Sequence, residues 1–258
     1  MTLKNDVSEF LKSGDIEKGD IVLLHSNIAK LYKNLKKKHK FYLQDILDIF
    51  IEYVGHKGTL IFPTFNFDFC EGRMFSAKDT PSQMGTFSEL ARKKADLNRT
   101  WHPVYSFVFF GNIPLEEIKR QNYSAYGKKS IFNWITESDG KVAIINLPDQ
   151  KSMTYYHHVE EIMNVNWRFQ KNFVGDYINF SKVKKTINAK IFVRKINLGV
   201  KTDVNEMEKI LWSKKLYKTK NTKSIYDCRS IRVKLLKNEV LKIIKSNKAE
   251  GVLYKKDV

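Results

Sequence analysis

The heptapeptide Thr154-Tyr155-Tyr156-His157-His158-Val159-Glu160 gathers most of the groups in this sequence that can move a proton. On a helix, His157 and Glu160 share one face and can touch, so the carboxylate can orient the imidazole. Thr154 stands where a helix N-cap is favoured. A histidine in the first turn feels the positive end of the macrodipole, which keeps the ring neutral, and neutral imidazole is a base. His158 lies about 100° round the helix and serves another surface. The plainer alternative is a capping threonine followed by a packed histidine. The adjacent acid and the position of the segment beyond an apolar strand favour chemistry.

Two other apolar runs end in polar clusters. Ile21-Val22-Leu23-Leu24 delivers His25-Ser26-Asn27, and Thr59-Leu60-Ile61-Phe62 delivers Pro63-Thr64; Val142 to Leu147 leads towards the heptapeptide. Open α/β sheets bind ligands beyond the carboxyl ends of their strands, so the three clusters are expected to build one site. Cys70 with His157 as its base is a chemically sensible acyl nucleophile, although a lone cysteine in an aromatic-rich loop is more often packing. His25, His102, His157, His158 and Glu160 lack the spacing of a zinc site, and no metal is expected.

The elements that must hold these groups alternate between strand and helix. Apolar periodicity predicts helices over residues 2–14, 41–54, 86–94, 114–121, 130–136 and 155–164, with strands over 21–24, 59–62, 106–110 and 142–147. Residues 65–82 form a long connection of the kind that often carries function. Beyond Trp167 the character changes to short β-type runs such as 189–193, a helix near 204–211 and a Lys-rich tail. The expected fold class is α/β, a central mixed sheet flanked by helices with an appended C-terminal α+β section. Residues 1–258 are read as a single domain, with a core over 1–165 and a section over 166–258 in the same domain.

The chain of 258 residues carries a formal charge of +18, mostly from lysine. That excess favours anionic ligands. A nucleic-acid-binding protein is the alternative that it suggests, yet no HTH, RRM or zinc signature accompanies it. The run Lys33-Asn34-Leu35-Lys36-Lys37-Lys38-His39-Lys40 reads as a solvated loop that is also placed to meet an anion. No stretch approaches the roughly 18–20 apolar residues of a membrane span, the N-terminus lacks the apolar centre of a signal peptide, and two cysteines make a disulfide framework unlikely. A cytoplasmic enzyme is expected, and self-association is compatible with the sequence.

Six segments occur in an order that resembles the aminoglycoside 3-N-acetyltransferase family, which is distinct from the GNAT acetyltransferases. They are Gly19 to Ser26, Gly58 to Phe65, Thr80-Pro81-Ser82-Gln83-Met84-Gly85, Arg99-Thr100-Trp101-His102-Pro103 with Ser106, Tyr126-Gly127-Lys128-Lys129-Ser130, and Thr154 to Glu160. The resemblance implies an α/β fold, acetyl-CoA as co-substrate and an amine of an amino sugar as acceptor. It implies His157 as the catalytic histidine and coenzyme A held by the segments that contain His25, Ser26, Asn27, Pro63, Arg99, His102 and Ser106. Where the family has a second serine after the first strand and then a glycine, this chain has Asn27 and no glycine, so Lys30 or Lys33 is expected to assist the pyrophosphate grip. The reading is direct transfer with His157 as base, Glu160 orienting it, and Thr64 or backbone N–H groups at a helix start facing the oxyanion. A family member that has lost catalysis is a further alternative, against which an intact His157 and Glu160 argue. The high positive charge favours a nucleotide-linked or surface-glycan amino sugar. An aminoglycoside antibiotic would need a local acidic pocket, for which Asp68, Glu71 and Asp79 are the candidates.

Overall fold

The computed structural model describes residues 2–96, 98–220 and 227–256. Its elements are α1 (Leu3–Ser13), β1 (Ile21–Ser26), α2 (Ala29–Lys36), α3 (Leu43–Val54), β2 (Thr59–Pro63), β3 (Phe75–Ser76), α4 (Thr86–Lys94), β4 (Phe107–Gly111), α5 (Leu115–Lys119) and α6 (Ile131–Glu137). There follow β5 (Lys141–Ile145), α7 (Tyr155–Ile162), β6 (Arg168–Ile178), β7 (Lys184–Arg194), β8 (Val200–Thr202), α8 (Asn205–Ser213), β9 (Arg229–Arg232), α9 (Val233–Lys245) and β10 (Tyr254–Lys256).

The central sheet has the order β4-β2-β1-β5-β9. Its three inner strands are parallel, with Leu23 opposite both Ile61 and Val142, while β4 and β9 run antiparallel at the edges. Strands β2 and β5 are buried at every residue, as expected when helices cover both faces of a parallel sheet. One face packs Val22, Leu24, Leu60 and Phe62 against Val7, Ile46, Phe50 and Phe87 from α1, α3 and α4. The other packs Leu23, Ile61, Val142 and Ile144 against Phe132, Tyr155, Val159 and Leu236 from α6, α7 and α9. Each such side chain contributes roughly 1.5–3 kcal/mol when fully buried.

Helix α3 shows how the local signals operate. Ile46, Leu47, Phe50 and Val54 form its buried face, the Asp45 carboxylate accepts from the Tyr42 N–H at its start, and Gly55 leaves it with φ 74°. Only a residue tolerant of positive φ suits that exit.

One expectation is corrected, and the C-terminal section gains detail. The Lys-rich run after β1 is helix α2 through Lys36, because Leu31 and Leu35, one turn apart, bury against the core. The Lys-rich tail contains helix α9, held by Val233, Leu236 and Val240. Beyond residue 165, β9 pairs with β5 in the central sheet, and the β6–β7 hairpin starts beside α7 with Arg168 paired to Glu160.

Candidate active site

His157 sits on α7 with its side chain 19% exposed and its Nδ1 2.7 Å from Glu160 Oε2. Glu160 is buried and fully engaged. Its Oε2 is also 2.8 Å from Arg168 Nε, and its Oε1 accepts from the Trp167 indole N–H at 2.9 Å. Arg168 is fixed in turn by donating to the Phe192 carbonyl and to Thr202 Oγ1. Burial alone would raise the Glu160 pKa, but Arg168 and His157 outweigh it and hold the carboxyl below its ordinary value. Burial, then Arg168, lowers the pKa of His157 against the opposing pull of Glu160. An ionised carboxylate can only accept, so Nδ1 carries the proton and Nε2 keeps its lone pair. The ring is therefore a neutral, oriented base.

Neutrality was expected from the helix dipole, yet desolvation is its principal cause here. Thr154 precedes α7 in an αR conformation and its side chain makes no capping hydrogen bond. The following turn is tied from below, since the Tyr156 hydroxyl donates to Asp149 Oδ2 at 2.6 Å. His158 turns the other way, where its Nδ1 meets the Tyr126 carbonyl at 2.6 Å in the core, and burial lowers its pKa to about 4.

A cavity of about 450 Å³ opens at the carboxyl ends of β1, β2 and β5, lined among others by His25, Ser26, Asn27, Pro63 and Lys151. Gly85, Thr86 and Phe87 at the start of α4 line it too, and the first N–H groups of a helix have no intrahelical partner. Two buried polar atoms, His25 Nε2 and Ser26 Oγ, have no hydrogen-bond partner among the described residues. Burial lowers the His25 pKa to about 4, so the ring is neutral. Such a set suits a ligand with phosphate and amide groups. Gln83 ties this cavity to the His157 side by accepting from the Phe67 N–H. From there a run of rings continues, Phe67 to Tyr105 at 5.8 Å, Tyr105 to Tyr126 at 4.8 Å and Tyr126 to His157 at 5.4 Å.

The remaining expected residues fall elsewhere. Arg99, Ser106 and Thr64 meet in a closed knot: Arg99 Nε donates to Ser106 Oγ at 2.9 Å, Nη2 donates to the Thr64 carbonyl at 2.8 Å, and the two hydroxyls are 3.0 Å apart. His102 Nδ1 accepts from the Val104 and Tyr105 N–H groups. All four side chains are buried. Their polar groups bind the protein itself, and the Thr64 hydroxyl is shared with that of Ser106. Lys30 pairs with Asp227. Cys70 has its thiol pushed up to about 11 by burial, which leaves it protonated and unsuited to attack.

The family model for aminoglycoside 3-N-acetyltransferase matches residues 23–243. The chain belongs to that family. Solved structures agree on the fold: AAC-IIIb in a binary complex with CoASH has a TM-score of 0.77 at 13% identity, covering 95% of this chain and 97% of that one. YokD from Bacillus subtilis has a TM-score of 0.74 at 18% identity, covering 95% and 99%. AAC-VIa bound to sisomicin has a TM-score of 0.73 at 13% identity, covering 96% and 98%. No curated protein sequence matches this chain.

Within this aminoglycoside 3-N-acetyltransferase family member, the residues that sequence reading missed are Arg168 and Trp167. Arg168 and Trp167 follow α7 after a short turn. The available signal is that a buried Glu160 demands a cation and a donor, but nothing in the local pattern says which ones.

Proposed function

We propose that this protein transfers an acetyl group from acetyl-CoA to the amine of an amino sugar, with His157 as general base. The observation that carries the reading is the His157–Glu160–Arg168 arrangement, a neutral imidazole with one nitrogen held and the other free. The strand-end cavity supports acetyl-CoA as donor, because its orphaned His25 and Ser26 atoms and the N–H groups starting α4 suit the phosphates and amides of coenzyme A. The CoASH-bound relative is consistent with that use. A donor of this kind fits a cytoplasmic setting.

In the reaction the amine nitrogen attacks the thioester carbonyl and His157 Nε2 takes the proton that the nitrogen loses. The tetrahedral oxyanion collapses with cleavage of the C–S bond, and the departing thiolate takes up a proton as free thiol. Positioned proton removal is typically worth about 10² to 10⁴ in rate. Glu160 offsets the imidazolium that forms. Backbone N–H groups at a helix start serve as oxyanion donors in this reading, since the Thr64 hydroxyl is shared with Ser106.

The acceptor in this reading is a nucleotide-linked or glycan-borne amino sugar. Asp68 and Glu71 are both drawn to Arg73, and Asp79 accepts from Ser76, so the carboxylates available for a polycation are already partnered. A thiol-release assay with acetyl-CoA over amino sugars and aminoglycosides tests the proposal. His157→Ala should lower turnover by about 10²-fold or more while coenzyme A affinity holds. Undiminished turnover in that variant would remove His157 from the chemistry. A specificity constant for kanamycin-type substrates equal to that for nucleotide-linked sugars would overturn the acceptor class.

A further inference from the structure

The β6–β7 hairpin sets a second guanidinium beside the candidate base. Arg168 and Arg194 are direct cross-strand partners. Like charges placed directly opposite one another destabilise a sheet, so each needs its own anion. Glu160 answers Arg168, and its two oxygens are otherwise committed to His157 and Trp167. Arg194 is exposed, and among the described residues its guanidinium forms no ion pair. Its charge reaches His157, where it helps to lower the imidazole pKa.

Strand alternation carries this face further along the hairpin. Gln170 and Asn172 follow Arg168 on β6, with Lys190 opposite Asn172 on β7 and the buried Phe192 opposite Gln170, between Arg194 and Lys190. Arg194, Gln170, Asn172 and Lys190 are all exposed. At about 3.3 Å per residue, Lys190 lies roughly 13 Å along the strand from Arg194. Besides Glu160, Glu161 borders this face; it accepts from Ser124, and its pKa is raised by burial.

We propose that this face, anchored by Arg194 beside His157, binds an oxyanion carried by the acceptor, the phosphate of a sugar phosphate or the diphosphate of a nucleotide sugar. The inference rests on the reading of His157 as the base that deprotonates the same acceptor. It adds a selectivity element that a polycationic substrate would not use.

The test compares glucosamine, glucosamine 6-phosphate and UDP-glucosamine in the thiol-release assay, with binding to the coenzyme A-saturated protein measured by calorimetry. Wild type should favour a phosphorylated sugar over glucosamine by about tenfold or more, the worth of one charge-assisted contact. The better of the two phosphorylated arms identifies the source. Arg194→Gln should bring the ratio close to unity, Arg194→Lys should restore much of it, and the charge-matched control Lys245→Gln should leave it as in wild type. An equal ratio in wild type and Arg194→Gln, in turnover and in binding, overturns the oxyanion site. His157→Gln separates the two ideas. It should lose turnover yet keep the binding preference, so persistent turnover there sinks only the base, and a missing preference sinks only the oxyanion site.

Discussion

Two carboxylates flank the start of α7, Asp149 before it and Glu160 within it, and each is buried against an arginine from beyond residue 165. Asp149 Oδ1 is 2.8 Å from Arg229 Nη2, as Glu160 Oε2 is 2.8 Å from Arg168 Nε. Their third partners differ. Asp149 accepts from the hydroxyls of Tyr156 and Tyr217, each at 2.6 Å, and burial pushes both phenols well above their ordinary pKa. Glu160 accepts from a partly exposed imidazole whose pKa is lowered. The ion pair is the same device in both places. Whether it becomes chemistry or architecture depends on the proton affinity and the exposure of the group attached to it.

Exchanging the two carboxylates for amides should separate these roles most sharply. Glu160→Gln is expected to reduce kcat by about 10²-fold or more, since it removes the counter-charge of the imidazolium. Because Glu160 raises the His157 pKa, its loss should move the acidic limb of the pH–rate profile further down. Asp149→Asn should instead cost about 1–3 kcal/mol in urea unfolding, because Arg229 loses one anion but keeps Glu208 and the Leu147 carbonyl, with the acidic limb unmoved in the folded fraction. A shifted limb in Asp149→Asn and none in Glu160→Gln would reverse the comparison.

Acid should strain the whole set of buried imidazoles. His25, His102 and His158 are each lowered by burial to about 4, against about 6.5 in an unfolded chain. Below pH 6.5 the unfolded chain binds protons that the folded chain refuses, so stability declines as pH falls from 6.5 towards 4. Calorimetric Tm values between pH 7.5 and 4.5 should follow that slope, and His158→Gln should flatten it.

The smallest effect is expected from Tyr156→Phe, which removes one hydroxyl from Asp149 and leaves the other. A loss of about 1 kcal/mol in urea unfolding is anticipated. A loss as large as that of Asp149→Asn would mean that the phenol, rather than the arginine, holds the cluster.

The parts of this arrangement legible from sequence are those that local periodicity dictates. β1, β2, β4 and β5 are apolar runs, and α4 occupies residues 86–94 as its pattern predicts. His157 and Glu160 were found because a helix brings them together whatever the rest of the chain does. β6 was hidden because only two of its 11 residues are buried, which erases alternation. α2 was hidden by lysines around Leu31 and Leu35, which alone carry its buried face. Arg194 and Arg229 gain their roles from contacts with residues far along the chain, while Arg168 reaches Glu160 from only eight residues on, through a turn that periodicity does not describe. Arg99 and His102 lie in segments that matched a family pattern, and both are buried and hydrogen-bonded within the protein.

The antiparallel seat of β9 against β5 has a consequence for how the chain is made. Asp149 and Arg229 are 80 residues apart, so during synthesis the segment with His157 emerges long before its counterweight. Until Arg229–Arg232 is available, one edge of β5 is unpaired and Asp149 lacks the Arg229 cation. Unpaired edges of this kind recruit other chains. A polypeptide ended after α7 therefore carries every residue of the histidine–glutamate pair and is poised to aggregate rather than to acetylate.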